Sequence, residues 1–132
     1  NKTVTSGIIT LDNYYGYIII GLPFIGLGKI MDIDAGGRNG RALTKPRVVT
    51  KMGVRFRSSI GTKFGTSPYL LEDIPWREVG QRAGRPPKLI DGVVEVEIDD
   101  GWDEEKNLYF VHNRPTPSNI QVMQPMLETN DE

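Results

Sequence analysis

Alternation of apolar and polar residues is clearest between residues 47 and 58, where every second position from Val48 onward suits one face of a strand. The opposite face carries a row of basic side chains, and this spacing of two is that of a β-strand. The two predicted faces are Val48, Thr50, Met52, Val54 and Phe56 against Arg47, Val49, Lys51, Arg55 and Arg57. We predict a strand here with a basic ladder on its outer side.

The stretch from residue 89 to residue 127 shows the same spacing three times in succession. A nine-residue polar loop, residues 99–107, separates the first run from the second, and a Pro-x-Pro segment, residues 115–117, precedes the third. The predicted inward sets are Val94, Val96 and Ile98, then Leu108, Phe110 and His112, then Ile120, Val122 and Gln124. The pattern predicts an antiparallel meander of three strands.

Apolar runs nearer the N-terminus predict further strands. Residues 3–11 form one, with Val4, Ile8 and Leu11 as core candidates, and the unbroken apolar run at residues 17–21 is typical of a strand buried on both faces. Residues 24–32 form a weaker strand whose interior glycines indicate a bulge or a close backbone approach. Residues 69–76 form a short edge strand.

No segment combines helical periodicity with capping residues, and the 132-residue chain contains 15 glycines and nine prolines. We therefore predict an all-β fold, an antiparallel β-sandwich or flattened barrel with long loops and little or no helix. The length predicts a single domain over residues 1–132. Because the chain starts without methionine, we expect it to be part of a longer polypeptide.

The net charge of −1 conceals a strong asymmetry along the chain. Residues 35–88 carry 12 basic and three acidic residues, whereas residues 89–132 carry two basic and 11 acidic residues. This split favours head-to-tail contacts between copies, which close into rings when the rotation permits. The alternative is that both regions lie side by side in one domain and neutralise each other.

Few residues suggest chemistry. The predicted loop over residues 33–46 has a glycine-rich part, residues 34–41, which exposes backbone amides beside basic residues, yet it lacks the lysine-threonine pair and the following helix of a phosphate-binding loop. The chain has no cysteine and no Gly-x-Ser-x-Gly motif, and its one histidine, His112, fits a structural role. The acidic turn at residues 99–105 does not have the spacing of a calcium loop. We predict no catalysis, no metal and no cofactor.

Aromatic side chains offer a second interpretation. Four of them are candidate anchors for a sugar or a protein partner: Tyr69, Trp76, Trp102 and Tyr109. They are scattered along the sequence, which favours core or interface positions over a single platform. A receptor- or glycan-binding β-module is therefore the alternative function.

Several short motifs occur in order. Residues 6–12 read SGIITLD, residues 20–24 read IGLPF, and residues 47–61 read RVVTKMGVRFRSSIG. A double proline, a Gly-Trp-Asp turn, a Pro-x-Pro kink and a Gln-Pro-Met strand end follow. Together these resemble the C-terminal part of the tail nozzle (tail tubular B, or stabilisation) proteins of short-tailed bacteriophages. The chain departs from the family pattern at residues 24–32, where glycines interrupt the expected strand.

The resemblance implies a structural virion protein in the phage tail, assembled in the host cytoplasm and not an enzyme. It implies a ring of six copies below the tail adaptor, around a channel that DNA crosses without specific binding. No run is apolar and long enough to span a membrane. For the contacts between copies, we predict that basic residues of one copy face an acidic turn of the next. The predicted interface residues are Arg38, Arg41, Lys51, Arg55 and Arg57, opposite Asp99, Asp100, Asp103 and Glu104.

Overall fold

The computed structural model describes residues 2–22, 24–34, 36–37, 40–41, 45–77, 79–81 and 85–130. These residues form antiparallel strands and no helix, which confirms the all-β prediction. The strands are β1 (Gly26–Lys29), β2 (Gly36–Gly37), β3 (Gly40–Arg41), β4 (Arg47–Ser59), β5 (Thr62–Ser67), β6 (Leu70–Asp73), β7 (Ile90–Glu97), β8 (Tyr109–His112) and β9 (Ile120–Thr129).

Two open sheets make up the body of the fold. One has the strand order β1-β8-β5-β6 and the other the order β7-β4-β9, and β2 and β3 form a separate pair among the described strands. Neither sheet closes into a barrel, so of the two predicted architectures the structure is the sandwich. β4 passes directly into β5 through Ile60 and Gly61, and this short connection carries the chain from one sheet to the other.

The predicted meander is wrong in its topology, although its three strands exist. β7 and β9 both pair with β4, on opposite sides, and β8 lies in the other sheet between β1 and β5. Alternation shows which residues of a strand face a core, but it carries no information about which strand is the neighbour. β4 is 13 residues long and pairs with β7 along one edge and with β9 along the other.

The core lies between the two sheets. Phe56 of β4 contacts Phe64 of β5 edge-on, with ring centroids 6.1 Å apart, and contacts Trp76 in the same way at 5.3 Å. The buried apolar cluster comprises Val49, Met52, Val54, Phe56, Phe64, Ile74, Val96, Ile98 and Leu108. The inward faces predicted for β7 and for the first half of β8 are therefore confirmed.

Two β-bulges reverse the predicted faces along β4 and β9. The register between these strands shifts between Val49 and Lys51, and again between Arg55 and Phe56. Before the first bulge Arg47 and Val49 are fully buried, although the sequence pattern assigned them to the outer face. At the second bulge Gln121 is the extra residue of β9, and beyond it along β9 Val122 is exposed and Met123 packs towards the core, the reverse of the prediction. A bulge adds one residue to one strand, so every residue after it points to the opposite face from the one that simple alternation predicts.

The strands predicted at residues 3–11 and 17–21 are not formed. Residues 2–22 and 24–25, here called the N-terminal arm, hold only a tight turn in which Thr5 and Ile8 exchange backbone hydrogen bonds of 3.0 Å. Ser6 and Gly7 at its centre both have positive φ, as a type I′ turn requires. The predicted core residues Val4, Ile8 and Leu11 are exposed. No described strand pairs with the arm, so the run at residues 17–21 belongs to no described sheet.

Glycines mark two close approaches between strands. On β1, the ring of Phe110 covers Gly28 so closely that a Cβ there would lie 2.1 Å from its Cζ, which confirms the approach predicted for residues 24–32. On β5, a Cβ at Gly65 would lie 1.9 Å from the backbone oxygen of Leu70 in β6. A side chain can move aside more readily than a paired backbone.

Replacement of Gly65 by alanine is therefore expected to lower the free energy of unfolding by about 2 kcal/mol, within the range of overpacked sites. Gly53 is the matched control, because it lies within β4 and a Cβ there would meet its nearest atom at 3.8 Å. Urea unfolding of both variants checks this. Equal stability of Gly65→Ala and Gly53→Ala would contradict the close β5–β6 approach.

Candidate interaction surface

The outer face of the sheet β7-β4-β9 carries most of the predicted basic ladder, and we call it the charged face. Lys51, Arg55 and Arg57 point outward from β4 and are exposed. The Lys51 Nζ atom lies 4.0 Å from a carboxylate oxygen of Glu95 and equally far from one of Glu97, both on β7. Acidic and basic regions of the sequence thus meet side by side at this point.

Arg55 and Arg57 differ from Lys51 in their surroundings. In the register of the sheet Arg55 lies between Val93 of β7 and Val122 of β9, so no acid stands opposite it. Within the described part of the chain, neither arginine forms an ion pair. Exposed ion pairs such as those of Lys51 contribute less than about 1 kcal/mol to the free energy of folding. The charges of Arg55 and Arg57 are available to a partner molecule.

Apolar side chains lie between the charges of this face. Val93, Val122 and Met126 are exposed on the flanking strands. Val93 and Met126 border a groove of about 380 Å³ whose lining includes Gly53, a position that no side chain fills. A surface of this kind combines apolar contact area with charge at its margin, as protein interfaces do.

Arg47 belongs to the basic row in sequence but not in space. It is fully buried, and its Nη2 donates a hydrogen bond of 2.5 Å to Asp32 Oδ1. Its backbone forms an isolated bridge to Asp103, with hydrogen bonds of 3.0 and 3.1 Å. Arg47 therefore fastens the segment after β1 and the acidic turn onto β4, and it is not available to a partner.

The acidic turn, residues 99–105, divides into a fixed part and an exposed part. The carboxylate of Asp100 is 3.0 Å from Lys106 Nζ and accepts a hydrogen bond of 3.1 Å from the backbone nitrogen of Val49. Lys106 is buried and also donates to the carbonyl oxygen of Gly101. Asp100 is thus engaged within its own chain, which removes it from the predicted interface set. Asp99, Asp103 and Glu104 remain exposed.

The two predicted interface residues of the glycine-rich loop are placed only in part. Arg38 lies outside the described residues. Arg41 ends strand β3 of the β2–β3 hairpin, where Gly36 pairs with Arg41 and Gly37 with Gly40. This segment thus contains a short hairpin where the sequence predicted a loop.

The four aromatic anchor candidates do not share one surface environment. Trp76 packs edge-on against Phe56 in the core, and its buried Nε1 has no hydrogen-bond partner among the described residues. Tyr109 is half-buried within β8, whereas Trp102 and Tyr69 are exposed on two different turns. The four side chains therefore do not form one platform.

His112 has both ring nitrogens within hydrogen-bonding distance of neighbours. Nε2 lies 2.6 Å from the carbonyl oxygen of Thr116, and Nδ1 lies 3.4 Å from Thr62 Oγ1. Thr62 Oγ1 is in turn 2.7 Å from Ser118 Oγ. The Phe24 ring covers the imidazole with centroids 5.6 Å apart. These contacts fasten the segment between β8 and β9 onto β5, which fits the predicted structural role.

An open apolar cleft lies between β1, an edge strand of one sheet, and β9, an edge strand of the other. The sequence did not indicate it. We call it the edge cleft; it has a volume of about 500 Å³. Its apolar lining comes from Phe24, Leu27, Phe110, Ile120, Val122 and Met123. The cleft exists because β1 and β9 are both outermost strands, and a single sequence does not reveal strand order.

Across the described ranges, no three His, Asp or Glu side chains come together as a metal site, and no helix is long and apolar enough to cross a membrane. No protein-family model and no curated protein matches the sequence.

Proposed function

We propose that this chain is a structural domain of a tail nozzle protein in a short-tailed bacteriophage. Six copies of it form a ring around the channel that DNA crosses on ejection. The observation that carries the proposal is the ordered series of motifs described above, which extends over most of the chain. In this role the chain is a virion component with no catalytic residue and no cofactor.

The contacts between distant motifs support their interpretation as one structural unit. The turn that ends the motif at residues 47–61 lies against the Pro-x-Pro kink at residues 115–117. The Ile60 nitrogen donates a hydrogen bond of 3.0 Å to the Pro117 oxygen, and Thr116 Oγ1 donates one of 2.9 Å to the Ile60 oxygen. A Cβ at Gly61, where φ is +90°, would meet Arg114 and Thr116 at 3.1 Å, so this position favours glycine.

Charge supports a head-to-tail contact between neighbouring copies. Arg55 and Arg57 on the charged face of one copy meet Asp99, Asp103 and Glu104 of the next. Such a contact joins two different surfaces, and repeated around an axis it closes into a ring. Lys51 takes a smaller part, because Glu95 and Glu97 already lie beside it.

The remaining partners follow from this placement. The ring would sit below the tail adaptor and contact other tail proteins. DNA would pass through without specific binding, because Arg55 lies between the aliphatic side chains Val93 and Val122 and not beside stacking aromatics.

Electron microscopy of the purified protein, in the longest form its gene encodes, tests the proposal. Negative-stain images at low and high salt are expected to show closed rings with a central hole. Monodisperse single copies at both salts, also after addition of the tail adaptor, would contradict it.

The charge contact has its own test. Reversal of both arginines, Arg55→Glu with Arg57→Glu, is expected to weaken ring formation at least about tenfold at low salt, since attraction becomes repulsion at close range. High salt is expected to narrow the difference, because exposed charges are screened. Sedimentation velocity measures both effects.

The matched control is Arg85→Glu with Lys88→Glu, an equal charge change at exposed positions of the same basic region. We expect this control to assemble as the unmodified protein does. Normal assembly of the Arg55/Arg57 variant with unchanged salt sensitivity would exclude this pair from the contact.

A receptor- or glycan-binding module is the second candidate, and the exposed rings of Trp102 and Tyr69 are the observation that favours it. A glycan array with Trp102→Ala and Tyr69→Ala variants distinguishes the two. Glycan binding by the unmodified protein that each of the two variants loses, together with the absence of rings in electron microscopy, would favour the binding module.

A further inference from the structure

Two uncharged segments stand out in a chain of which a quarter is charged. Residues 13–28 and residues 115–127 contain no Asp, Glu, Lys or Arg, and they are the two longest such stretches. The first covers most of the N-terminal arm, and the second covers the greater part of β9. Exposed edges of soluble proteins normally carry charges that prevent strand addition.

The arm presents an apolar strand sequence without a partner strand. Residues 17–20 read YIII, with high β-propensity, no proline and no charge. In the structure this run belongs to no described strand, and Ile20 and Leu22 are 77% and 88% exposed. With the neighbouring tyrosines it offers on the order of 800 Å² of exposed side chain, the amount one partner contributes to a standard interface.

The edge of β9 presents the complementary feature. Among the described strands β9 has a neighbour only on the side of β4, so its other edge has free backbone groups. This edge borders the edge cleft, whose lining of Ile120, Val122 and Met123 is apolar. Pro125 has no N–H to donate, which confines strand addition to the half of β9 before it.

The arm of a copy leads away from its own cleft. Phe24 lies at the cleft, and Gly21 passes so close to Pro115 that a Cβ there would be 2.7 Å from the Pro115 Cβ. Further along, Tyr17 and Ile19 lie beside Pro86 and Pro87. The run at residues 17–20 therefore does not reach the free edge of its own β9.

We infer that residues 17–20 of one copy add as a strand to the free edge of β9 in a neighbouring copy, above the edge cleft. This β-augmentation supplies the arm with backbone hydrogen bonds and covers its apolar side chains. It rests on the proposed assembly from identical copies, but it is separate from the charge contact. Because neither segment is charged, this contact is expected to resist salt.

Crosslinking between single-cysteine variants tests the contact directly, since the chain has no cysteine of its own. Protein with Ile20→Cys is mixed with protein with Val122→Cys and treated with a short bismaleimide. The control mixture replaces Val122→Cys by Tyr69→Cys, at an exposed turn far along the sequence from β9. We expect roughly tenfold more heterodimer in the first mixture, because docking raises the local concentration of the two thiols.

A second variant separates docking from chance collision. Ile18→Asp in the Ile20→Cys protein places a charge in the added strand and is expected to remove the excess heterodimer. Ile8→Asp, an equal change elsewhere in the exposed arm, is expected to leave it intact. Because both positions are exposed, neither change is expected to unfold the domain.

The outcomes distinguish this inference from the proposed function. Heterodimer at the level of the control mixture, in protein that forms rings, would overturn arm exchange and leave the nozzle proposal standing. Excess heterodimer that requires Ile18, in protein that forms no rings, would support arm exchange and contradict the nozzle proposal. Heterodimer that Ile18→Asp does not reduce would also overturn arm exchange.

Discussion

Replacement of Phe56 by alanine is expected to lower the free energy of unfolding by about 3–5 kcal/mol, as for other buried aromatic side chains. Phe56 is 1% exposed and lies where the two sheets and the segment after β6 meet. Its ring contacts Phe64 and Trp76 edge-on, and such pairs add about 0.5–1.5 kcal/mol each beyond the area that they bury. Removal of the ring opens a cavity that three elements border, so the core cannot collapse by moving one of them.

Urea unfolding measures this effect, and Phe24→Ala is its matched control. Phe24 is an aromatic residue of the arm that contacts His112 while remaining 48% exposed. The same deletion there is expected to cost less than half as much, because little apolar surface leaves the interior. Equal losses for the two variants would contradict a core centred between β4 and β5. The denaturant slopes should remain similar, so that the midpoints report stability.

Period-two alternation predicted β4, β7 and β9 because each places one face against the core over many residues. It failed inside β4, where a bulge near Thr50 turns Arg47 and Val49 inward. A bulge leaves no mark in the hydrophobic pattern other than two adjacent buried residues, here Val48 and Val49. Those two valines were the available signal.

The arm illustrates the opposite failure. Its residues 17–21 have the composition of a doubly buried strand, and the sequence predicted one. A strand forms only where another strand supplies backbone partners, and composition does not say whether one is near. In the described structure no neighbour is present, and arm exchange would supply one from another copy.

The sequence predicted which charged residues lie on the candidate surface, but it did not predict which of them form ion pairs with each other. The outward position of Lys51, Arg55 and Arg57 followed from spacing alone. The acids beside Lys51 come from β7, which pairs with β4, whereas the predicted meander placed β7 beside β8. Asp100 was placed at an interface although it is fixed inside the chain. The signal missed was Lys106, one of two basic residues in an acidic third of the sequence.

The pair between Lys106 and Asp100 carries the second large effect. The Lys106 side chain is 2% exposed and that of Asp100 13%, and the two ions are 3.0 Å apart. Asp100→Asn leaves a buried ammonium group without its counterion and is expected to cost about 3–5 kcal/mol, as for other broken buried pairs. Asparagine retains an oxygen for the Val49 nitrogen, so the loss reports the charge and not the backbone hydrogen bond.

A double-mutant cycle separates the pair from its surroundings. Lys106→Met removes the ammonium group, so addition of Asp100→Asn to it is expected to cost little, and the two losses should fall short of additivity by about 1–3 kcal/mol. Lys51→Met is the exposed control, expected to cost less than about 1 kcal/mol because its carboxylate partners lie 4.0 Å away in solvent. Additive losses at residues 100 and 106 would mean that the ions do not depend on each other. Non-additive losses would mean that the two ions stabilise each other and so fix the turn that carries Asp99, Asp103 and Glu104. In that case Asp100→Asn should also weaken ring formation, although it alters no residue of the proposed contact.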